Sequence, residues 1–295
     1  MPEFLKKVLV TGGAGFLGRH VVKLLENSGH YVRAFDNGEM LCGADGNFAH
    51  IPGDVTNFEQ LASVALCDPY DAIIHLAALG RNLTCQDNPK LAWDVNVGGT
   101  LNVLEIARQN PEKIKRVVVC SSNIVLCPDM TVYKATKVAA ELLVKAYARM
   151  GVSAVALRPC NIAGDGQSRT EYQPCAFAGM DIAFEKQGHF KITGDGTQTR
   201  DFIHAADVAR AFELALTKGT PGEAYDVATG KLTSMNEVCA MLGTEPVYVP
   251  ARPGDAKTIV SDPSKARQDL GFIAEIGMER ILRDSFPSVK VKANA

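Results

Sequence analysis

Short apolar runs alternate along the first half of the chain with longer segments whose apolar positions recur at helical spacing. Val8-Leu9-Val10 reads as a strand, a glycine-rich turn from Gly12 to Gly18 follows it, and Val21, Val22, Leu24 and Leu25 mark one face of a helix. Tyr31-Val32-Arg33-Ala34-Phe35 predicts a second strand ending on Asp36, and Gly53-Asp54-Val55 closes a third before a helix from about residue 57 to 66. Asp71 to Ala78 is an apolar strand running into small residues, Leu101, Val103, Leu104 and Ile106 lie in a long helix, and Val117 to Cys120 supplies another strand. The alternation predicts an α/β fold, a doubly wound parallel sheet with helices on both faces, whose ligand crevice lies beyond the carboxyl ends of the strands. Gly12 to Gly18, Asp36, Asp54, Ala77 and Ser122 all follow strand ends, so five segments point at one crevice.

The glycine pattern gains meaning from that context. Gly13-x-Gly15-x-x-Gly18 fits the dinucleotide fingerprint of a Rossmann sheet, and Gly12-x-x-Gly15-x-x-Gly18 fits a variant spacing. The missing side chains let backbone amides at a helix start approach a pyrophosphate. Asp36 stands where a ribose diol is held and where a 2′-phosphate is repelled, which predicts NAD rather than NADP. Arg33, three residues upstream, speaks the other way. Asp54 suits a hydrogen bond to adenine or the cap of the following helix. His75 lies within an apolar run and reads as a structural histidine, not a base.

The chemistry is suggested by Tyr133 and Lys137, four residues apart in a strongly helix-forming run and therefore on one helix face. A tyrosine is a poor base near neutral pH, and a neighbouring ammonium favours the phenolate. Ser122, at the end of an apolar run, is placed to hydrogen-bond the same substrate oxygen. The three can take a proton from an alcohol while hydride leaves its carbon.

Composition removes several classes of function. Apolar residues at 46% and charged residues at 22% are ordinary for a globular protein, and a formal net charge of -2 gives no reason to expect nucleic acid or an anionic membrane as partner. The eight cysteines contain no Cys-x-x-Cys pair, so neither zinc nor a disulfide framework is expected, and a reducing cytoplasmic setting fits. Met1 to Lys7 lacks the form of a signal peptide, and no apolar run approaches the roughly 18 residues that a membrane span needs.

Taken in order, Thr11-Gly12-x-x-Gly15-x-x-Gly18, Gly53-Asp54-Val55, His75-Leu76-Ala77-Ala78, Asn96-x-x-Gly99-Thr100, Ser121-Ser122 and Tyr133-x-x-x-Lys137 resemble the extended short-chain dehydrogenase/reductase family. Within it the chain is most similar to the NAD-dependent nucleotide-sugar epimerases and dehydratases, the UDP-glucose 4-epimerase group. The resemblance runs from Lys7 to about Phe286. It implies NAD against Gly12, Gly15, Phe16, Leu17, Gly18, Asp36, Asn37, Asp54, Val55, Leu76, Ala77, Ala78, Asn96, Tyr133, Lys137 and Pro159. It implies catalysis by Ser122, Tyr133 and Lys137, and a nucleotide-diphosphate sugar held by Ser122, Asn161, Arg200, Arg252 and Asp255. Two planar guanidiniums are suited to clamping a diphosphate, although each arginine also has a structural alternative, solvent or a pairing with Asp201 or Asp255.

The family's 4,6-dehydratases carry an Asp-Glu pair after the residue corresponding to Ser122, decarboxylating members use a nearby glutamate, and members that also epimerise C3 and C5 use a cysteine. Here Asn123-Ile124 occupies that place. By the resemblance, hydride removal and return at C4 through a 4-keto sugar remains. The chain departs from the family in having Val125-Leu126-Cys127 where Val-Tyr-Gly is usual and a step of only 11 positions from Ser122 to Tyr133. Cys127 reads as a space-filling substitution, and the polar stretch Gly164 to Pro174 as a substrate-side loop.

The expected organisation is a cofactor domain over residues 1–160 and a mainly substrate-binding domain over 161–295, with about 200–216 returning to the first. Apolar residues on more than one face of the helices near Leu101–Ala107 and Ala135–Ala148 suggest that one face meets the sheet and another a second subunit, and the resemblance implies a homodimer through a four-helix bundle. Pro287 to Ala295 reads as a frayed tail. Two other functions use the same sequence: a nucleotide-sugar reductase or dehydrogenase with net redox, and a non-catalytic NAD-binding protein.

Overall fold

A computed structural model describes residues 6–38, 50–167, 175–251 and 256–289. Arg252, Asp255, Cys42, residues 168–174 of the polar stretch and the tail from 290 onward lie outside the described residues.

Strand β1 (Lys7–Thr11) leads through the glycine turn into helix α1 (Phe16–Asn27), and β2 (Tyr31–Asp36) and β3 (His50–Pro52) follow. Helix α2 (Phe58–Cys67) begins one residue after its cap. Asn57 accepts from the Gln60 amide at 3.0 Å, so the cap is Asn57 and not Asp54. Asp54 instead accepts from the Thr56 amide at 2.9 Å in a local turn.

After β4 (Ala72–His75), the short helices α3 (Asn82–Asp87) and α4 (Pro89–Trp93) lead through one π-helical turn, Asp94–Gly98, into α5 (Gly99–Gln109). Strand β5 (Arg116–Cys120) ends at the paired serines, a 3-10 turn spans Asn123–Leu126, and α6 (Val132–Arg149) carries Tyr133 and Lys137. Strand β6 (Ala154–Pro159) completes this half.

The second half supplies β7 (Asn161–Ala163), α7 (Ala176–Gln187), β8 (Phe190–Thr193), β9 (Thr199–Arg200), β10 (Phe202–His204) and α8 (Ala205–Ala215). Beyond these come β11 (Ala224–Val227), β12 (Thr233–Ser234), α9 (Met235–Leu242), β13 (Pro246–Val249), α10 (Ser264–Leu270) and α11 (Met278–Ser285).

The main sheet has seven strands in the order β11-β6-β5-β4-β1-β2-β3, all parallel. Order reverses between β1 and β4, the point at which a doubly wound sheet opens a crevice beyond its strand ends. One core joins the sheet to α1, α8 and α10 through Val21, Leu25, Val208, Phe212 and Leu270. The opposite core uses Leu61, Val103, Leu104 and Val144 from α2, α5 and α6. The sheet therefore does not stop near residue 160: α8 lies against α1, and β11 forms an outer strand. Period-2 and period-3.6 patterns locate the strands and helices, but this long-range return of β11 is a pairing choice that no local pattern encodes.

A third apolar cluster, with Phe177, Phe190, Phe202 and Phe286, builds the second half around the pairs β7–β10 and β8–β13. Val289 packs against it. Among the described residues, no helix is long and apolar enough to cross a membrane.

Asp201 joins the two halves. The carboxylate is 1% exposed and accepts from the Thr229 amide at 3.1 Å, the Thr229 hydroxyl at 2.7 Å and the Gly230 amide at 2.7 Å, while the Cys160 thiol donates at 3.3 Å. It therefore ties the end of β6 to the turn after β11, and it is not a partner of Arg200. Removing the carboxylate leaves these donors unpaired inside the protein. Asp201→Ala is expected to lower the unfolding free energy by about 3 kcal/mol in urea titration, and an unchanged midpoint would show that the network contributes little.

Candidate active site

The crevice at the strand order reversal is a cleft of about 1060 Å³ lined from both halves of the chain. One wall is the glycine turn. Gly12 has φ of +70°, and a Cβ there would sit 2.5 Å from the Ala77 amide nitrogen; a Cβ on Gly18 would sit 2.1 Å from the Gly12 carbonyl oxygen. Helix and strand are thus in backbone contact, which only glycine allows. Gly15 caps α1 without a side-chain hydrogen bond, so the first-turn amides stay available to an anion. Gly12, Gly15, Phe16, Leu17, Gly18, Leu76, Ala78, Tyr133 and Pro159 all border the cleft.

Other residues singled out for the cofactor take different positions. Asp36 ends β2 beside the turn, accepting from the Ala14 amide at 2.9 Å and the Gly38 amide at 2.8 Å, with Asn37 exposed next to it. Arg33 stacks on Tyr31 at 4.8 Å from the ring centre. Val55 is buried where a Cβ on Gly99 would touch it. Asn96 is 2% exposed, and its amide is spent on Leu79 N at 2.8 Å, Leu79 O at 3.2 Å and Thr136 Oγ1 at 3.0 Å. It holds the loop after β4 against α6 and does not face the cleft, because a buried amide must satisfy both its ends locally. An adenine dinucleotide fits the glycine cradle, its anion-accepting helix start and the Asp36 edge.

Tyr133 and Lys137 lie on the first turns of α6, which starts at Thr131, whose hydroxyl accepts from the Lys134 amide at 3.1 Å. Lys137 is 5% exposed; its Nζ donates to the Cys120 carbonyl at 2.8 Å and sits 5.8 Å from the centre of the Tyr133 ring. Burial depresses the pKa of this ammonium. Ser122 lines the same cleft as Tyr133, pulls the phenol's pKa down, and accepts from the Ile124 amide at 3.2 Å.

The expected lowering of the Tyr133 pKa is not found in the protein alone. Burial, reinforced by the Cys120 thiol, raises the phenol above its ordinary value, and the opposing pull of Ser122 and Arg81 is smaller. The sequence places the ammonium near the ring but cannot weigh its desolvation. Here removing the phenolate from water outweighs the attraction.

The short Ser122–Tyr133 connection closes on itself. Cys127 is buried, its amide bonds the Ile124 carbonyl at 3.0 Å, and its own carbonyl accepts from Lys134 Nζ. Thr131 donates to Asn82 Oδ1 at 3.1 Å, tying the loop to the segment after β4. Asn123 is buried in the 3-10 turn and its Nδ2 has no partner.

From the second half, Asn161 and Arg200 also line the cleft. Arg200 Nη1 donates to the Thr199 carbonyl at 2.8 Å and the Lys257 carbonyl at 3.3 Å. Sequence reasoning passed over two neighbours that matter to this geometry. Arg158 clamps Glu141 through Nε and Nη2 at 2.8 and 2.7 Å, and Ser121 donates to the same carboxylate at 2.5 Å, locking β5, α6 and β6 together. Arg81 spans from the β4 loop to Cys175 Sγ at 2.8 Å. Their signal in the sequence is a charge beside a motif, which has no period to reveal it.

Residues 8–228 match the NAD dependent epimerase/dehydratase family. The chain belongs to that family. Its cofactor is accordingly NAD, as the glycine turn and Asp36 had indicated. A putative UDP-glucose 4-epimerase of Methanocaldococcus jannaschii is 30% identical, over 92% of this chain and 94% of that protein. Among solved structures, UDP-glucose 4-epimerase from Thermotoga maritima with UDP-glucose superposes with a TM-score of 0.85 at 26% identity, covering 95% of this chain and 97% of that one. MoeE5 in complex with UDP-glucuronic acid and NAD gives 0.81 at 32% identity, with 95% and 98% covered.

His75 behaves as the sequence reading of a structural histidine expects. Nδ1 pairs with Thr11 Oγ1 at 2.7 Å, Nε2 is buried with no partner, and burial presses the pKa down to about 3. The folded state therefore excludes a proton that the unfolded chain binds below about pH 6.5, so this contribution is intact above that value and declines as pH falls towards 3. Unfolding titrations should lose about 2 kcal/mol from this residue between pH 6.5 and pH 5. His75→Gln should flatten that slope; an equally steep slope in the variant would assign it elsewhere.

Proposed function

We propose that this protein epimerises a nucleotide-diphosphate sugar at C4 through a 4-keto sugar. The observation carrying this reading is the convergence of Ser122, Tyr133 and Lys137 beside the glycine turn, in the same cleft that receives Asn161 and Arg200 from the second half. The solved relatives just described hold UDP-glucose or UDP-glucuronic acid, which are ligands of this shape and charge.

NAD supplies positive charge near the reacting carbon and reversible acceptance of a hydride. The chain's own residues do the rest. Tyr133 accepts the proton of the sugar 4-hydroxyl, Ser122 holds that oxygen, and Lys137, fixed on the Cys120 carbonyl, keeps a positive charge over the ring. Asn161 and Arg200 hold the diphosphate, with Arg252 and Asp255 completing the nucleotide end. Rotation of the keto sugar about this tether presents its other face, and Tyr133 returns the proton. Water elimination needs a further acid and base after Ser122, and Asn123 and Ile124 transfer no proton.

A reductase or dehydrogenase with net redox is the second reading, since it uses the same three residues. NAD that copurifies and stays spectroscopically unchanged during turnover supports epimerisation; a stoichiometric change in nicotinamide absorbance supports net redox.

Leu101 on α5 and Leu142 on α6 are 40% and 62% exposed on neighbouring helices, which supports a homodimer through this face. Leu142→Glu should therefore shift the sedimenting species from dimer to monomer, and a wild type that sediments as a monomer rules the dimer out. For the chemistry, Tyr133→Phe should lower turnover by about 10³-fold while NAD and nucleotide affinities stay within about threefold. Retained turnover would remove Tyr133 from the role of base.

A further inference from the structure

The charge balance of the cleft points to the acidity of the sugar. Among its described lining residues are four cationic side chains, Arg81, Lys186, Lys191 and Arg200, and no carboxylate. Arg81 sets its charge against a weak acceptor. It follows the small residues after β4, is half-buried, and reaches across the cleft so that Nη1 meets the Cys175 thiol at the start of α7 at 2.8 Å. A thiol is a weak acceptor, whereas a guanidinium carries five N–H donors that match a carboxylate in pairs. Among the described residues no carboxylate pairs with Arg81. A half-buried guanidinium on the cleft wall has N–H donors to spare, so the arrangement is completed by an anion that enters the cleft.

The position of Arg81 says which part of a ligand that anion belongs to. Arg81 and Tyr133 line the same cleft, and Thr131, two residues before Tyr133, bonds the residue next to Arg81, so the guanidinium lies at the reacting end. Arg200 comes instead from β9, in the second half of the chain. The neighbouring Asn82 is held by Thr131 of the short connection, so the backbone that carries Arg81 is fixed on the loop bordering the same space. An anion at this end is a substituent of the sugar ring and not the diphosphate.

We propose that Arg81 reads a carboxylate on the sugar, which makes a nucleoside-diphosphate hexuronic acid, and not the neutral hexose, the preferred substrate class. This rests on the epimerase reading of the cleft. The carboxylate displaces the Cys175 thiol from the guanidinium and is held by two parallel N–H bonds. Arg81 is thus a specificity residue, and the proton and hydride steps remain as described.

The test compares UDP-glucuronic acid with UDP-glucose on the purified protein carrying its copurified NAD, by calorimetry at low and moderate salt, for wild type, Arg81→Met and Arg81→Lys. Wild type should bind the uronic acid at least about tenfold more tightly, Arg81→Met should bring the two within about threefold, and Arg81→Lys should fall between. Equal affinities in the wild type, or a preference that survives in Arg81→Met, overturn the inference. Should Arg81→Met fold poorly, the wild-type preference and its decline with salt decide the matter, because a charge pair is screened and a shape preference is not. Conversion at C4, followed by proton NMR, is scored separately. A uronate preference without conversion of either sugar supports Arg81 in this role and overturns the epimerase reading. Conversion of UDP-glucose with equal affinities does the reverse.

Discussion

The attachment of helix α6 to the end of strand β5 is the constraint on which the site depends. Lys137 donates to the Cys120 carbonyl, and one turn further along Glu141 accepts from Ser121 and from Nε and Nη2 of Arg158. These bonds fix the rotation of α6 about its axis. A helix free to rotate by one residue would turn its residues about 100° away from the cleft. With the helix locked, Tyr133 and Ser122 stay on the same cleft wall. The same ammonium thus both fixes the helix and places a charge 5.8 Å from the centre of the Tyr133 ring.

A second constraint, the backbone contact between α1 and the glycine turn, works on the opposite side of the crevice. Side chains at Gly12 or Gly18 would overlap the Ala77 amide or the Gly12 carbonyl, and no rotamer change relieves a clash with backbone. The contact brings the amides at the start of α1 next to the small residues that follow β4. Stability and ligand geometry are therefore obtained from the same few atoms. The protein cannot improve packing there by adding volume without losing the space for a pyrophosphate.

The short connection between Ser122 and Tyr133 alters one boundary of the cleft without disturbing the reacting groups. Its buried Cys127, the Lys134 bond to the Cys127 carbonyl and the Thr131–Asn82 bond hold it in place. That loop in turn fixes the segment bearing Arg81. The connection and the segment bearing a cleft arginine are thereby held as one unit, through the Thr131–Asn82 bond.

The amino-acid sequence by itself determined the order of strands and helices in the first half, the glycine turn, the Asp36 strand end and the Tyr133–Lys137 pair. Each of these is a local pattern: two-residue or 3.6-residue periodicity, or residues one helical turn apart, whose physical meaning is carried by neighbours in the chain. Tertiary structure alone decided that β11 returns to the main sheet, that Asn96 turns from the cleft to hold Leu79, that Asp201 serves Thr229 and Gly230, and that Arg81 reaches across the cleft to Cys175. It also decided the direction in which the Tyr133 phenol is shifted. These depend on which distant groups share a desolvated space, and burial is a property of the packed whole that no spacing along the chain records.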